Sequence, residues 1–197
     1  MVLNKFRKYF NPYLETLAAS LDRAGVRPWH LSLLGLTLAF ISMLILMFIR
    51  GNIGLFIALF VFLVSGLMDA LDGQLARLQA RVSAWGAFYD SVIDRASEIF
   101  FIFGLLYAGL LSDTVAYCYI VTALLISYCR SRGESLGVSL KGVGLMERAE
   151  RILAIVAIIL IYLFFYIPLD IPFLIITILN VVTILARVLE VHAALTG

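Results

Sequence analysis

Four aspartates are the residues of this sequence best placed to do chemistry. Asp69 and Asp72 are three residues apart in a chain that is 63% hydrophobic. Asp90 and Asp94 are four residues apart. Residues at these separations share one face of a helix. An aspartate at the centre of a membrane helix costs roughly 2.5–3.5 kcal/mol. A partner that offsets this cost is therefore expected beside the two pairs.

The expected partner is a divalent cation. Four like charges cannot stay ionised side by side without a counter-charge. The donor atoms are all oxygens, and residues 69–94 contain no His or Cys. This set favours a hard ion such as Mg²⁺ or Mn²⁺ over zinc. Two such ions bridged by carboxylates, about 3.5–4 Å apart, suit displacement at phosphorus. The predicted metal ligands are Asp69, Asp72, Asp90 and Asp94.

Small residues and one arginine are interleaved with the aspartates. Gly73 and Gly86 have no side chain, which lets a ligand or another backbone approach closely. Ala76 has only a methyl side chain and also leaves space for a ligand. The planar guanidinium of Arg77 can donate two hydrogen bonds to a phosphate. The pattern favours metal-dependent phosphate chemistry.

A cation-transport pathway is the main alternative at this point. Acids within membrane segments often mark ion routes. The positions of these acids at the membrane edge, with glycines and an arginine between them, favour phosphate chemistry. Ion pairs at helix ends, such as Asp94 with Arg95, would not explain four acids on one side.

The elements that position these residues are membrane helices. Charged residues make up only 14% of the chain, and its mean hydropathy is +1.04. Six stretches with at most one charged residue approach the roughly 17–25 residues that cross a bilayer. We therefore predict an all-α integral membrane protein with six transmembrane helices. The stretches are residues 31–49, 51–68, 96–112, 114–129, 152–169 and 171–186.

The first 27 residues form a separate element in this interpretation. Phe6, Phe10, Tyr13, Leu14, Leu17 and Leu21 recur at helical spacing, and Lys5, Arg7 and Lys8 lie between them. This pattern predicts an amphipathic helix in the cytoplasmic interface, with Pro12 as a candidate break. Its expected role is that of an anchor. The predicted organisation is an interfacial helix over residues 1–27 and a six-helix membrane domain over residues 28–197.

Lys and Arg residues are distributed unevenly between the two sides that six spans define. With both termini on one side, Arg50 alone of the fifteen Lys and Arg residues lies on the other. Positive residues concentrate on the cytoplasmic side of membranes. We therefore expect a multi-pass protein of the cell membrane whose termini and aspartates face the cytoplasm. Lipid headgroups and phosphates, rather than nucleic acid, are the expected partners of these basic residues.

The spacing of eight residues resembles, without a departure, the signature of the CDP-alcohol phosphotransferase (CDP-alcohol phosphatidyltransferase) family. The pattern is Asp69-x2-Asp72-Gly73-x2-Ala76-Arg77-x8-Gly86-x3-Asp90-x3-Asp94. Enzymes of this family replace the CMP of a CDP-activated alcohol, usually a lipid, with the hydroxyl of a second alcohol. The resemblance implies a magnesium- or manganese-dependent transferase with two ions per site, and a homodimer.

The resemblance also implies roles for single residues. Asp69, Asp72 and Asp90 would hold the metal ions, which bind the pyrophosphate of the donor. Asp94 would contact a metal and take the proton of the acceptor hydroxyl as general base. The nucleotide pocket would be lined by Asp69, Asp72, Gly73, Ala76, Arg77 and Gly86.

Two cytoplasmic segments indicate the acceptor. "SYCRSRGE" and "GLMERAERIL" resemble the inositol-phosphate-using branch of the family, the phosphatidylinositol-phosphate and archaetidylinositol-phosphate synthases. The implied acceptor is myo-inositol 1-phosphate. The main candidates for binding its phosphate are Arg130, Arg151 and Arg187, followed by Arg132, Lys141 and Arg148. Simpler readings are a surface ion pair between Glu147 and Arg151 and a snorkelling Arg187.

Three other functions stay open on the sequence alone. Glycerol 3-phosphate also presents a phosphate to a basic pocket, and CDP-inositol is an alternative donor. Outside the enzymes, a divalent-cation transporter would also place acids in membrane helices. Nothing in the sequence distinguishes diacylglycerol from archaeol as the lipid, because generic apolar surface accommodates either.

Overall fold

The computed structural model describes residues 2–196, with side chains from residue 12 onward. Lys5, Phe6, Arg7, Lys8 and Phe10 therefore lie outside the described side chains. The described part is all-helical, as predicted. Its helices are α1 (Val2–Arg23), α2 (Pro28–Phe48), α3 (Gly51–Leu78), α4 (Ala84–Tyr107), α5 (Asp113–Ser135), α6 (Arg148–Phe165) and α7 (Asp170–Thr196).

Several helices extend beyond the apolar stretches that predicted them. Helix α3 continues to Leu78, so Asp69 and Asp72 lie within the helix rather than after its end. Helix α4 begins at Ala84, twelve residues before the apolar stretch at 96–112, and therefore carries Asp90 and Asp94. Both aspartate pairs are thus held on helical backbone.

Four of the helices are long and apolar enough to cross a membrane: α2, α3, α5 and α7. Helix α4 carries Asp90, Asp94, Arg95 and Glu98, and the shorter α6 begins with Arg148, Glu150 and Arg151. These charges lower the hydropathy of both helices. The structure therefore supports a membrane protein, while the count of six spans stays a prediction.

The chain forms two compact units, Met1–Phe101 and Ile102–Gly197. In the first unit, α1 packs against α3 through a small apolar core. Helix α1 runs without a break from Val2 to Arg23, so the predicted interruption at Pro12 is wrong. The buried core consists of Ala18, Leu31, Leu71 and Leu75, with Leu14, Leu21, Val26 and Met68 packed around it.

Two serine hydroxyls join α2 to α3 in the first unit. Ser42 Oγ donates to the carbonyl of Ala58 at 2.8 Å, and Ser65 Oγ donates to that of Gly35 at 2.7 Å. A Cβ at Gly35 would lie 3.2 Å from the Ser65 carbonyl oxygen. Small residues at such a crossing let two membrane helices approach closely. The two helices are therefore fixed in one register.

The second unit is built on contact between α5 and α7. Asn180 Nδ2 donates to Thr122 Oγ1 at 3.1 Å between these helices. The irregular connection over residues 136–147 docks on α7, because the amides of Leu145 and Met146 both donate to Thr183 Oγ1 at 3.1 Å. Gly144 has a φ of +101° and lies against Thr183, where a Cβ would find no room. The connection is thus part of the packed unit.

Candidate active site

A short turn brings the aspartate-bearing ends of α3 and α4 together. Helix α3 ends in a Schellman motif, in which the Arg81 amide donates to the Ala76 carbonyl at 2.9 Å. Ala80 takes the left-handed position, with a φ of 50°. Helix α4 then starts where the Gly86 amide donates to Ser83 Oγ at 3.0 Å. Because only residues 79–83 connect them, the end of α3 and the start of α4 lie close together.

Three of the four predicted aspartates converge. One carboxylate oxygen from each of Asp69, Asp72 and Asp90 lies within 4.8 Å of the others. Oxygens that bind one divalent cation at about 2.1–2.6 Å are separated by at most twice that distance. The spacing and the all-oxygen donor set therefore fit a hard divalent cation.

Asp94 is not a member of this group of converging oxygens. It lies one turn beyond Asp90 on α4, is 8% exposed, and has Arg95 Nη1 at 3.8 Å from its Oδ2. Its predicted role as a metal ligand stays a prediction. Its burial beside an arginine is compatible with a carboxylate that handles a proton.

Asp72 has a partner that sequence reasoning missed. Ser32 Oγ, from the first turns of α2, donates to Asp72 Oδ2 at 2.5 Å. Both residues are buried, at 8% and 6% exposure. The two lie forty positions apart, and no local pattern around Ser32 signals the contact.

An open cleft of 1930 Å³ lies in the first unit and contains the aspartate group. Its walls come from α1, the start of α2, the end of α3 and the start of α4. The cleft exceeds the roughly 300–1,000 Å³ of usual small-ligand sites. The predicted metal and nucleotide residues that line it are Asp69, Asp72, Gly73, Ala76, Arg77, Gly86 and Asp90.

Arginines beyond the predicted Arg77 also line the cleft. They are Arg23 at the end of α1, Arg27 before α2 and Arg81 after α3. None of these three arginines is among the predicted site residues. Helix α1, predicted as an anchor, thus also supplies a wall of the cleft.

Gly73 faces no packing constraint from the described protein atoms. The nearest atoms to a Cβ built there are Arg77 Nη1 and Nη2, at 3.7 and 3.8 Å, which is ordinary contact distance. A methyl group would fit the fold but would project beside the cleft. Packing against the described protein atoms therefore does not require a glycine at this position, and the predicted approach of a nucleotide to Gly73 stays a prediction.

Arg187 is one of two predicted phosphate-binding residues that are buried. It is 2% exposed, and its Nε and Nη1 donate to the carbonyls of Val143 at 3.0 Å and Ile126 at 2.7 Å. Its Nη2 lies 3.6 Å from Glu147 Oε1. The residue is inside α7, which continues to Thr196. Snorkelling at a helix end does not describe this arginine.

One carboxylate oxygen of Glu147 lies near two arginines and a backbone amide. Its Oε1 accepts from the Gly142 amide at 3.1 Å and lies 4.0 Å from Arg130 Nη1, besides Arg187. Arg130 also pairs with Glu134 at 2.9 Å. The structure therefore brings Arg130 and Arg187 together through a shared acid.

The remaining predicted arginines and lysine differ in their surroundings. Arg151 is 2% exposed and donates to the Met146 carbonyl at 3.2 Å, so a surface ion pair does not describe it. Arg148 is half-buried, while Arg132 and Lys141 are exposed. Arg132 makes a local contact with Ser135.

Comparison with known proteins agrees with the aspartate pattern. The model of the family described as CDP-alcohol phosphatidyltransferase matches residues 26–192. The phosphatidylinositol phosphate synthase of Streptomyces avermitilis is 39% identical over 162 residues, which are 77% of this chain and 64% of that protein. The chain thus covers slightly less than two thirds of that relative.

Two further relatives extend the comparison. The archaetidylinositol phosphate synthase of Pyrococcus horikoshii is 32% identical over 154 residues, 78% of this chain and 80% of that protein. The crystal structure of Mycobacterium tuberculosis phosphatidylinositol phosphate synthase with CDP-DAG bound matches with a TM-score of 0.77 and 26% identity. That match covers 90% of this chain and 92% of the other. The same enzyme has also been solved in complex with manganese and citrate.

Proposed function

The chain belongs to the CDP-alcohol phosphatidyltransferase family, and we propose that it transfers a phosphatidyl or archaetidyl group from a CDP-lipid to myo-inositol 1-phosphate. The observation that carries this proposal is the convergence of Asp69, Asp72 and Asp90 within 4.8 Å. The acids lie in a cleft large enough for a nucleotide and part of a lipid headgroup. CMP is the leaving group.

The same three aspartates would hold the metal ions, Mg²⁺ or Mn²⁺, with two per site. Bound ions would neutralise the charge of the pyrophosphate and of the departing CMP. The manganese in the related mycobacterial enzyme supports a divalent metal. The all-oxygen donor set of this chain supports a hard one.

The protein's own groups would bind the donor and move one proton. Arg77 offers its guanidinium to the pyrophosphate, and Gly73, Ala76 and Gly86 leave space for the nucleotide along the wall. The acceptor hydroxyl oxygen forms the new bond to phosphorus while the bond between phosphorus and the CMP oxygen breaks. Asp94 accepts the proton of that hydroxyl as general base.

The choice of acceptor rests on the relatives and on the basic residues of the second unit. Both curated relatives are named as synthases of inositol phosphate lipids. Arg130, Arg151 and Arg187 are proposed to bind the acceptor phosphate, with Arg132, Lys141 and Arg148 in support. Glycerol 3-phosphate is the second candidate acceptor. CDP-inositol as donor and divalent-cation transport are less favoured, because the relatives are lipid synthases.

The proposed membrane arrangement follows the charge distribution. Helices α2–α7 would form six spans within residues 28–197, and α1 within residues 1–27 would lie in the interface. Both termini and the aspartates would face the cytoplasm, where the acceptor inositol phosphate and the product CMP are water-soluble. A homodimer is the proposed assembly. Cysteine labelling from each side of sealed vesicles, at Ser135 and at Ser112, would test the orientation.

The decisive experiment measures CMP release by the purified protein in lipid nanodiscs with CDP-diacylglycerol and Mg²⁺. Myo-inositol 1-phosphate and glycerol 3-phosphate are supplied in parallel, and EDTA provides the metal-free control. Release with inositol 1-phosphate alone is expected. Release with glycerol 3-phosphate alone would overturn the acceptor. Release with neither, together with cation uptake into proteoliposomes, would overturn the transferase.

A further inference from the structure

The geometry points to Ser32 as a positioning residue for the metal site, a role that rests on the proposed metal-dependent function. Ser32 is outside the eight-residue motif and on a different helix from all four aspartates. Its hydroxyl donates to Asp72 Oδ2 at 2.5 Å, and both side chains are buried. Ser32 thereby holds Asp72 in the rotation at which its carboxylate meets those of Asp69 and Asp90.

The chemical reason is the freedom of an aspartate side chain. Rotation of a carboxylate about its last bond is broad and weakly restrained. A buried carboxylate also loses the water that would otherwise hydrogen-bond to it. A donor from a neighbouring helix supplies a hydrogen bond and selects one rotation. Groups behind metal ligands perform this function in many metal sites.

The hydroxyl of Ser32 has one proton and two nearby acceptors. The carbonyl of Pro28 lies at 3.3 Å, within the same helix, and Asp72 Oδ2 lies at 2.5 Å. The shorter contact involves a carboxylate, and hydrogen bonds to charged acceptors are the stronger ones. The Ser32 hydroxyl therefore donates its hydrogen bond mainly to Asp72 rather than to the Pro28 carbonyl of its own helix.

The packing of α2 on α3 fixes the position of the Ser32 hydroxyl relative to Asp72. The Ser65–Gly35 and Ser42–Ala58 bonds fix the register of the two helices along their length. The two helices are close at Gly35, where an added Cβ would lie 3.2 Å from the Ser65 carbonyl oxygen. Ser32 is one turn from Gly35, so its distance to Asp72 is set by this crossing.

The test is Mn²⁺ binding without substrates, measured by electron paramagnetic resonance on the detergent-purified chain. We expect Ser32→Ala to weaken Mn²⁺ binding by about 10- to 100-fold, the usual effect of removing a group behind a metal ligand. Ser32→Thr keeps a hydroxyl and should restore binding to within a few-fold. CMP release by Ser32→Ala should recover at high Mn²⁺ concentration, while its apparent metal requirement rises.

Ser42→Ala is the matched control. It removes the other α2 serine bond to α3, ten residues and about 15 Å along the helix from Ser32. If Ser42→Ala weakened Mn²⁺ binding as much as Ser32→Ala, the effect would be one of helix packing, and the positioning role would be overturned. Unchanged Mn²⁺ binding by Ser32→Ala would overturn it directly. Absence of Mn²⁺ binding by the unmodified chain would instead refute the metal site itself.

Discussion

The aspartate group of the first unit and the arginine group of the second unit differ in how their charges are surrounded. The arginine group consists of Arg130 and Arg187, which lie beside Glu147. Asp69, Asp72 and Asp90 bring like charges together at an open cleft. Arg187 is enclosed, and protein oxygens from Ile126, Val143 and Glu147 surround its guanidinium. The first group lies at a cleft where the proposed divalent cation would offset the repulsion of its carboxylates, whereas in the second group Glu147 lies beside the arginines.

This difference has a functional meaning. Carboxylates that lie close together favour metal binding, because the ion offsets their mutual repulsion. A site that binds a phosphate reversibly needs arginines that are already held in place, since ordering a long side chain costs entropy. Glu147 is then a partner that a phosphate would have to displace or share. The comparison distinguishes the proposed metal site from the proposed preorganised site for the acceptor phosphate.

The largest expected effect concerns Asp94, which lies outside the converging group. Asp94→Asn should lower kcat for CMP release by about 10²–10⁴-fold, because a general base contributes that much. Mn²⁺ binding should stay within about threefold, since the three converging carboxylates remain. Asp113→Asn, an exposed aspartate at the start of α5, is the control. Turnover close to that of the unmodified enzyme would contradict the base assignment, and loss of Mn²⁺ binding would make Asp94 a ligand.

The next prediction separates the contribution of Arg187 to stability from its contribution to acceptor binding. Arg187→Ala should cost about 2 kcal/mol or more of stability, because the buried carbonyls of Ile126 and Val143 lose their donor. The acceptor KM should rise far more than the donor KM in the protein that remains folded. Thermal unfolding and steady-state kinetics measure the two parts.

Arg132→Ala provides the comparison for that variant, because Arg132 is exposed and its guanidinium donates to nearby Ser135 Oγ at 3.5 Å. Its Tm should be unchanged and its acceptor KM should shift less. A rise in donor KM alone in Arg187→Ala would argue against an acceptor site in the second unit.

A smaller effect is expected at Gly73 in the aspartate cleft. Gly73→Ala should raise the donor KM by about tenfold, equivalent to about 1.4 kcal/mol, through crowding of the nucleotide. Its Tm should not fall, because an added Cβ has the Arg77 guanidinium no closer than 3.7 Å and alanine favours a helix interior over glycine. Gly35→Ala should behave in the opposite way, with lower stability from the contact with Ser65 at 3.2 Å. If Gly73→Ala unfolded early with an unchanged donor KM, the glycine would serve packing and not the nucleotide.

The smallest expected effect tests whether Glu147 competes with the acceptor phosphate for Arg130 and Arg187. Glu147→Gln should lower the acceptor KM by about two- to fivefold at low salt, the range of a partly exposed ion pair. The cause is that Arg130 and Arg187 lose a competing carboxylate. Glu134→Gln, which removes an acid beside the half-buried Arg130 alone, should do less. A higher acceptor KM in Glu147→Gln would mean that Glu147 holds the arginines in position.

The aspartate site could be predicted from the sequence because its information is local. Asp69, Asp72 and Asp90 lie on two consecutive helices joined by a short turn, and helical periodicity fixes which face each occupies. The arginine group depends on contacts far apart in the chain, such as that between Arg187 and Ile126. Periodicity carries no information on such contacts. The predicted basic residues therefore included both buried and exposed side chains without distinguishing them.

An all-helical, strongly apolar chain and the motif of its family follow from consecutive residues, because composition and helical spacing are local properties. Three features required the folded chain: α1 forms a wall of the cleft, Ser32 contacts Asp72 from forty residues away, and Arg187 is buried against backbone carbonyls. These contacts arise when separate helices pack in a particular register, and that register is set by close approaches such as the one at Gly35 rather than by any single segment.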